Sequence, residues 1–96
     1  MKHHFAMREK QLEVRCRDIA RQRGVLLLKL MPTRAGLPDR LLVAGSGVLI
    51  FIEFKSAMGR LRPMQKRFIA ILEGLHHRVR VVRTAQEFKA LLDYYS

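Results

Sequence analysis

The segment 48–54 is apolar at every position except Glu53, and Lys55 follows it. Strand side chains alternate between faces, which sets Leu49, Phe51, Glu53 and Lys55 on one side and Val48, Ile50, Ile52 and Phe54 on the other. Apolar residues on both sides predict a strand over 48–56, in the interior of a sheet covered on both faces. Upstream, Leu12, Cys16, Ile19 and Ala20 recur at helical spacing. They predict a helix over 7–23, ended by Gly24. Residues 25–31 are apolar apart from Lys29 and begin with a β-branched valine, which predicts a first strand. The stretch 32–38 holds two prolines and a glycine, an irregular loop. A second strand over 40–43 then runs through the turn Gly45-Ser46-Gly47 into 48–56 as a hairpin.

The second half alternates elements in the same way. A basic loop over 57–62 leads to Pro63, placed where a helix begins, and the helix continues over 64–75 with Phe68, Ile69, Ile71 and Leu72 toward the core. Residues 78–83 alternate as a surface-exposed strand. Thr84 and Glu87 form a capping box for a last helix reaching about Tyr94. The predicted order is α-β-β-β-α-β-α, an α/β (α+β) domain with a mixed sheet flanked by helices. At 96 residues the chain is one domain, 1–96, with 1–6 expected to be a disordered lead-in.

Charge changes the picture at Glu53. A carboxylate in a covered strand is costly unless something compensates it, and a cation is one candidate. The chain carries a net charge of +11, which implies a polyanionic partner such as nucleic acid. Between Ile19 and Leu72 the only acids are Asp39 and Glu53. On a surface that holds DNA they repel phosphate, unless a metal ion lies between. Cys16 is the single cysteine, which excludes an intrachain disulfide or a thiolate zinc cluster. The start of the chain lacks the apolar core of a signal peptide, and no apolar run approaches the ~20 residues that span a bilayer. The expectation is a soluble, cytoplasmic protein with no membrane partner.

Gly36-Leu37-Pro38-Asp39, followed fourteen residues later by Glu53-Phe54-Lys55, resembles the PD-(D/E)XK nuclease signature. With Gly59-Arg60-Leu61-Arg62-Pro63-Met64-Gln65 and the closing Val81-Val82-Arg83, the chain is more narrowly similar to the VRR-NUC family, from about Glu9 to Leu92. The resemblance implies a restriction-endonuclease-like core and metal-dependent cleavage of DNA. Asp39, Glu53 and the backbone carbonyl of Phe54 would be ligands to Mg²⁺ or Mn²⁺, both of which take hard oxygen donors. Lys55 would orient water and stabilise charge at the phosphate, and Gln65 would support the site. Many members carry a further glutamate on the first helix. Glu13 stands at the usual distance before Gly24 and is favoured, while Glu9 lies closer to the helix's apolar stripe. Arg60, Arg62, Lys66 and Arg67, with Arg34 and Thr33 in the proline-rich loop, are the expected phosphate contacts. Small members of the family resemble Holliday-junction resolvases of phage and bacteria and act as homodimers.

Each residue also has a plainer reading. Glu53 and Lys55 make a structural ion pair at a sheet rim, Asp39 is a turn residue, and Gln65 decorates a helix start. Glu9 and Glu13 favour their helix dipole. The four histidines lack metal-ligand spacing, and Cys16 belongs to the core. Phe88, Leu91, Leu92, Tyr94 and Tyr95 form either a dimer contact or core packing. Two functions follow: a structure-selective endonuclease of branched DNA, or a non-catalytic nucleic-acid-binding module on the same scaffold. Base-stacking binders expose aromatics, whereas Phe51, Phe54 and Phe68 are expected to be buried.

Overall fold

A computed structural model describes residues 8–31 and 33–96; Pro32, His3, His4, the proposed lead-in 1–6 and the expected helix start at Met7 lie outside the described residues. Helix α1 (Glu9–Arg23) ends on Gly24, whose φ of 70° is the left-handed conformation that a glycine adopts without a Cβ penalty. Strands β1 (Leu26–Lys29), β2 (Arg40–Val43) and β3 (Leu49–Phe54) follow as an antiparallel meander. Helix α2 (Pro63–Gly74) then crosses over, so that β4 (Arg78–Val82) pairs parallel to β3. Helix α3 (Ala85–Tyr94) closes the order. The sheet runs β1-β2-β3-β4, which makes β3 an interior strand as predicted. No helix among the described residues is long and apolar enough to cross a membrane.

The core lies on one face of this sheet. Leu12, Cys16 and Ile19 of α1 and Phe88 and Leu92 of α3 pack on Leu42, Ile50, Ile52 and Phe54. Phe54 and Phe88 are tilted against each other with ring centroids 6.3 Å apart, and truncating either to alanine should cost ~3–5 kcal/mol. Burial pushes the Cys16 thiol up to about 12, as suits a core residue and not a reactive one. Core packing thus accounts for Phe88 and Leu92, and Leu91 and Tyr95 pack beside them.

Four expectations need correction. The opposite sheet face is only half covered, because α2 lies over β4 and leaves Leu49 51% exposed. In α2 itself only Leu72 is buried. Ile71 is exposed because one residue is a 100° step around the helix, and Phe68 and Ile69 are half-buried. Phe51 is half-buried as well, so among the central aromatics only Phe54 is enclosed. The final capping arrangement also differs slightly. Thr84 accepts from the Glu87 N–H, but Glu87 accepts from the backbone of Arg83, one residue early. Between β2 and β3 the chain makes a single 3₁₀ turn, Gly45–Gly47.

Candidate active site

The register of the hairpin brings Asp39 and Glu53 together. Arg40 pairs with Ile52, so one step further Asp39 lies opposite Glu53, on the face shared by Leu41 and Phe51. The Asp39 carbonyl accepts from Leu30 N–H at 3.0 Å, which extends the β1–β2 pairing to this row. Its side chain accepts the Phe54 N–H at 2.9 Å on Oδ2. Pro38, just before Asp39, is buried and lies outside the strand.

Glu53 is only 2% exposed and is held by Gln65, whose Nε2 donates to Glu53 Oε2 at 2.8 Å. The other end of the same amide accepts the Arg62 N–H at 2.8 Å. Gln65 therefore does both things its sequence position allowed: it caps the start of α2 and aims the glutamate. Lys55 is 8% exposed and shares the Glu53 face by strand alternation, and its backbone N–H donates to Val82 O at 3.1 Å.

Burial raises the Glu53 carboxyl from 4.5 to about 8, with the nearby Asp39 charge adding to the rise and Lys55 opposing it. Asp39 is also raised, chiefly by burial, while the Phe54 N–H holds it back. Ion pairs among the described residues join Arg21 to Asp18, Arg23 to Asp93 and Arg40 to Glu13, and none includes Asp39, Glu53 or Lys55. Two adjacent, desolvated carboxylates outside any of these ion pairs fit a divalent cation held by oxygen donors. No cluster of three or more His, Cys, Asp or Glu gathers among the described residues. Remaining ligands would have to be backbone carbonyls, water or substrate phosphate.

Glu13 is engaged by Arg40, whose Nε and Nη2 both donate to Oε2 at 2.7 Å. It also lines, with Asp39, Pro38 and Lys29, a cavity of about 260 Å³. Glu9 is exposed, and its charge is felt at Glu53, whereas that of Glu13 is felt at Asp39. Arg60, Arg62, Lys66 and Arg67 are all exposed, and the Arg34 guanidinium lies over the Phe68 ring, 5.9 Å from its centroid.

Two arginines that the sequence offered only as motif positions, Arg40 after Pro38-Asp39 and Arg83 after Val81-Val82, have structural tasks at the site. Arg40 shares the core-facing row of Ile52, and a charge on that row needs a partner, which was the signal for Glu13. Arg83 donates from Nη1 to the carbonyls of Ser56 at 2.8 Å and Gly59 at 2.6 Å. It thereby ties down the loop that leaves Lys55, and only its position just past a strand hinted at this.

Comparison with known proteins agrees with this geometry. The model of the VRR-NUC domain family matches residues 4–86. "Putative nuclease p44" of Acyrthosiphon pisum secondary endosymbiont phage 1 is 33% identical over 87 residues, covering 90% of this chain and 92% of that protein. A solved structure described as a VRR_NUC domain superposes with a TM-score of 0.78 at 26% identity, over 92% of this chain and 97% of the other.

Proposed function

This chain belongs to the VRR-NUC family, and from that premise we propose that it is a metal-dependent endonuclease that hydrolyses phosphodiester bonds of branched DNA as a homodimer. The observation that carries the reading is buried Glu53 beside half-buried Asp39, neither in an ion pair among the described residues, with Lys55 on the same face. Asp39, Glu53 and the Phe54 carbonyl would hold Mg²⁺ or Mn²⁺. The bound cation supplies Lewis-acid polarisation of the phosphate and a more acidic water.

The chain's own groups do the rest. Lys55, fixed in a strand, presents a positive charge where negative charge gathers on the phosphate, and its ammonium orients the attacking water. Gln65 keeps Glu53 in one rotamer through the 2.8 Å bond, which spares reorganisation during the reaction. Glu13, anchored by Arg40, adds negative charge beside Asp39 and is favoured over Glu9 as the helix carboxylate of the site, since it shares the Asp39 cavity. Arg34, Arg60, Arg62, Lys66 and Arg67 hold phosphates on either side. Contacts of this kind set position and carry no base sequence, which suits selection by DNA shape.

The test incubates the protein with a labelled four-way junction and a matched duplex in Mg²⁺, Mn²⁺ or EDTA, beside Glu53→Ala. Paired metal-dependent nicks in the junction, absent from the variant, are expected. Equal cutting of both substrates would remove the junction preference. Binding without cleavage in any metal would replace the enzyme with a non-catalytic binding module on the same scaffold.

A further inference from the structure

The sheet face that carries Asp39 and Glu53 continues into an open apolar surface. Leu26, Val43 and Leu49 form one row across three strands, and Leu28, Leu41 and Phe51 form the next. Leu26 is 57% exposed, and Leu28 and Leu49 are comparably open. Beside this floor, Met64, Phe68, Ile71 and Leu75 follow one another at alternating four- and three-residue spacing along α2. Leu75 is 63% exposed, and Met64 and Ile71 are nearly as free. Arg34, from the β1–β2 loop, lies over Phe68, and the Phe51 ring of the floor meets His77 just past α2. Helix and floor are thus neighbours on one side of the molecule.

We propose that this surface is the two-fold contact between two copies of this chain, an inference that rests on the homodimeric reading above. Charge argues for it first. A chain of net charge +11 repels its own copy almost everywhere, but these ten side chains carry no charge at all. Size argues for it next. Three strands ~4.8 Å apart beside a helix ~10 Å wide and ~18 Å long give a footprint of roughly 25 × 18 Å. That is about 450 Å², the size of the apolar patches that mark functional surfaces and roughly half of the ~800 Å² per partner in a standard interface, whose remainder is polar rim. Two-fold pairing also needs one patch to serve both copies, and this patch meets that condition. The carboxylate pair occupies the adjacent row, so pairing here joins two sites in one rigid assembly. Helix α3 has spent Phe88 and Leu92 on its own core and is left outside the contact.

Sedimentation of the wild-type chain, Leu28→Glu, Ile71→Glu and the control Tyr94→Glu across a wide concentration range tests the proposal. Wild type and the α3 control should be dimers, and each face variant should associate about a hundredfold more weakly, as expected for a charge buried in the centre of an interface. The face positions are open in one copy, so thermal melts of the variants should match wild type at concentrations low enough to keep it monomeric. Hydroxyl-radical footprinting of the unaltered chain gives an independent reading, with Leu26, Leu49 and Leu75 protected as concentration rises. A monomeric wild type, dimers that survive both face variants, or a dimer split by Tyr94→Glu alone would overturn the assignment. Sedimentation needs no catalysis, so a failed cleavage assay would sink the nuclease reading and leave this one standing.

Discussion

Glu53 concentrates the chemistry of this chain because it is buried outside any ion pair among the described residues. Without bound metal the folded protein keeps the Glu53 proton up to about pH 8, whereas the unperturbed carboxyl loses it near 4.5. Between those values the folded state binds more protons than the unfolded one, so stability falls as pH rises. The contribution is complete below 4.5, is lost through the window up to about 8, and is level beyond. Asp39, raised in the same direction, acts with the same sign. Melting temperatures of the metal-free protein should therefore decline over this window, and Glu53→Gln should flatten the decline. Added Mg²⁺ or Mn²⁺ should raise the melting temperature more at pH 8 than at pH 5, because at the lower pH the cation must displace a proton. An equal rise at both would mean that the cation does not meet these carboxylates. Gln65→Leu should keep the α2 start largely folded yet lower the cleavage rate about tenfold, roughly one charge-assisted hydrogen bond. A normal rate with a weakened helix would return Gln65 to a purely capping role.

The elements hold this site through contacts made outside the sheet ladder. Gly36 has a φ of 86°, and a Cβ there would lie 2.3 Å from the Met64 carbonyl oxygen at the start of α2. Gly24 has a similar φ but open space around it. Gly24→Ala should thus cost only the left-handed backbone penalty, ~1–2 kcal/mol. Gly36→Ala should cost more, up to ~3 kcal/mol, since backbone must move as well. Chemical denaturation of the two variants side by side measures the difference. Arg83→Gln should free the loop behind Lys55 and reduce cleavage at saturating DNA, with Arg83→Lys restoring charge but not the two-carbonyl bridge; equal rates in all three would mean the loop needs no anchor. The elements themselves could be read from the chain because apolar periodicity, Gly24, Pro63 and Thr84 state starts and stops locally. The convergence of Asp39 on Glu53 was readable too, since a hairpin register follows from two strands and a short turn. What could not be read was how far α2 reaches across the sheet. That depends on crossover geometry, and it decided that Ile71 and Leu49 stay open. Likewise the Arg40–Glu13 and Arg83–Gly59 contacts join residues more than twenty positions apart, and no local pattern encodes them.

At the scale of the whole molecule, the cations and the open apolar surface divide the work between substrate and partner. Arg34, Arg60, Arg62, Lys66 and Arg67 gather around the start of α2, whereas the apolar rows lie beyond them across β1, β2 and β3. If each of these five cations neutralises one phosphate, binding of one copy to duplex should weaken with salt at a log–log slope of about −4.5. A dimer that lays both cationic faces on a junction should show about twice that slope, about −9, because counterions leave both faces. Anisotropy titrations with Glu53→Ala, which binds without cutting, give these slopes directly. Combining Glu53→Ala with Leu28→Glu should return the junction slope to the single-copy value, while the duplex slope hardly changes. Replacing Arg60 by alanine should reduce the single-copy slope by about 0.9 and the dimer slope by about 1.8. A junction slope unaffected by Leu28→Glu would mean that each arm of the substrate is held by one copy alone. The apolar surface would then have no part in recognising branched DNA, whatever the oligomeric state in its absence.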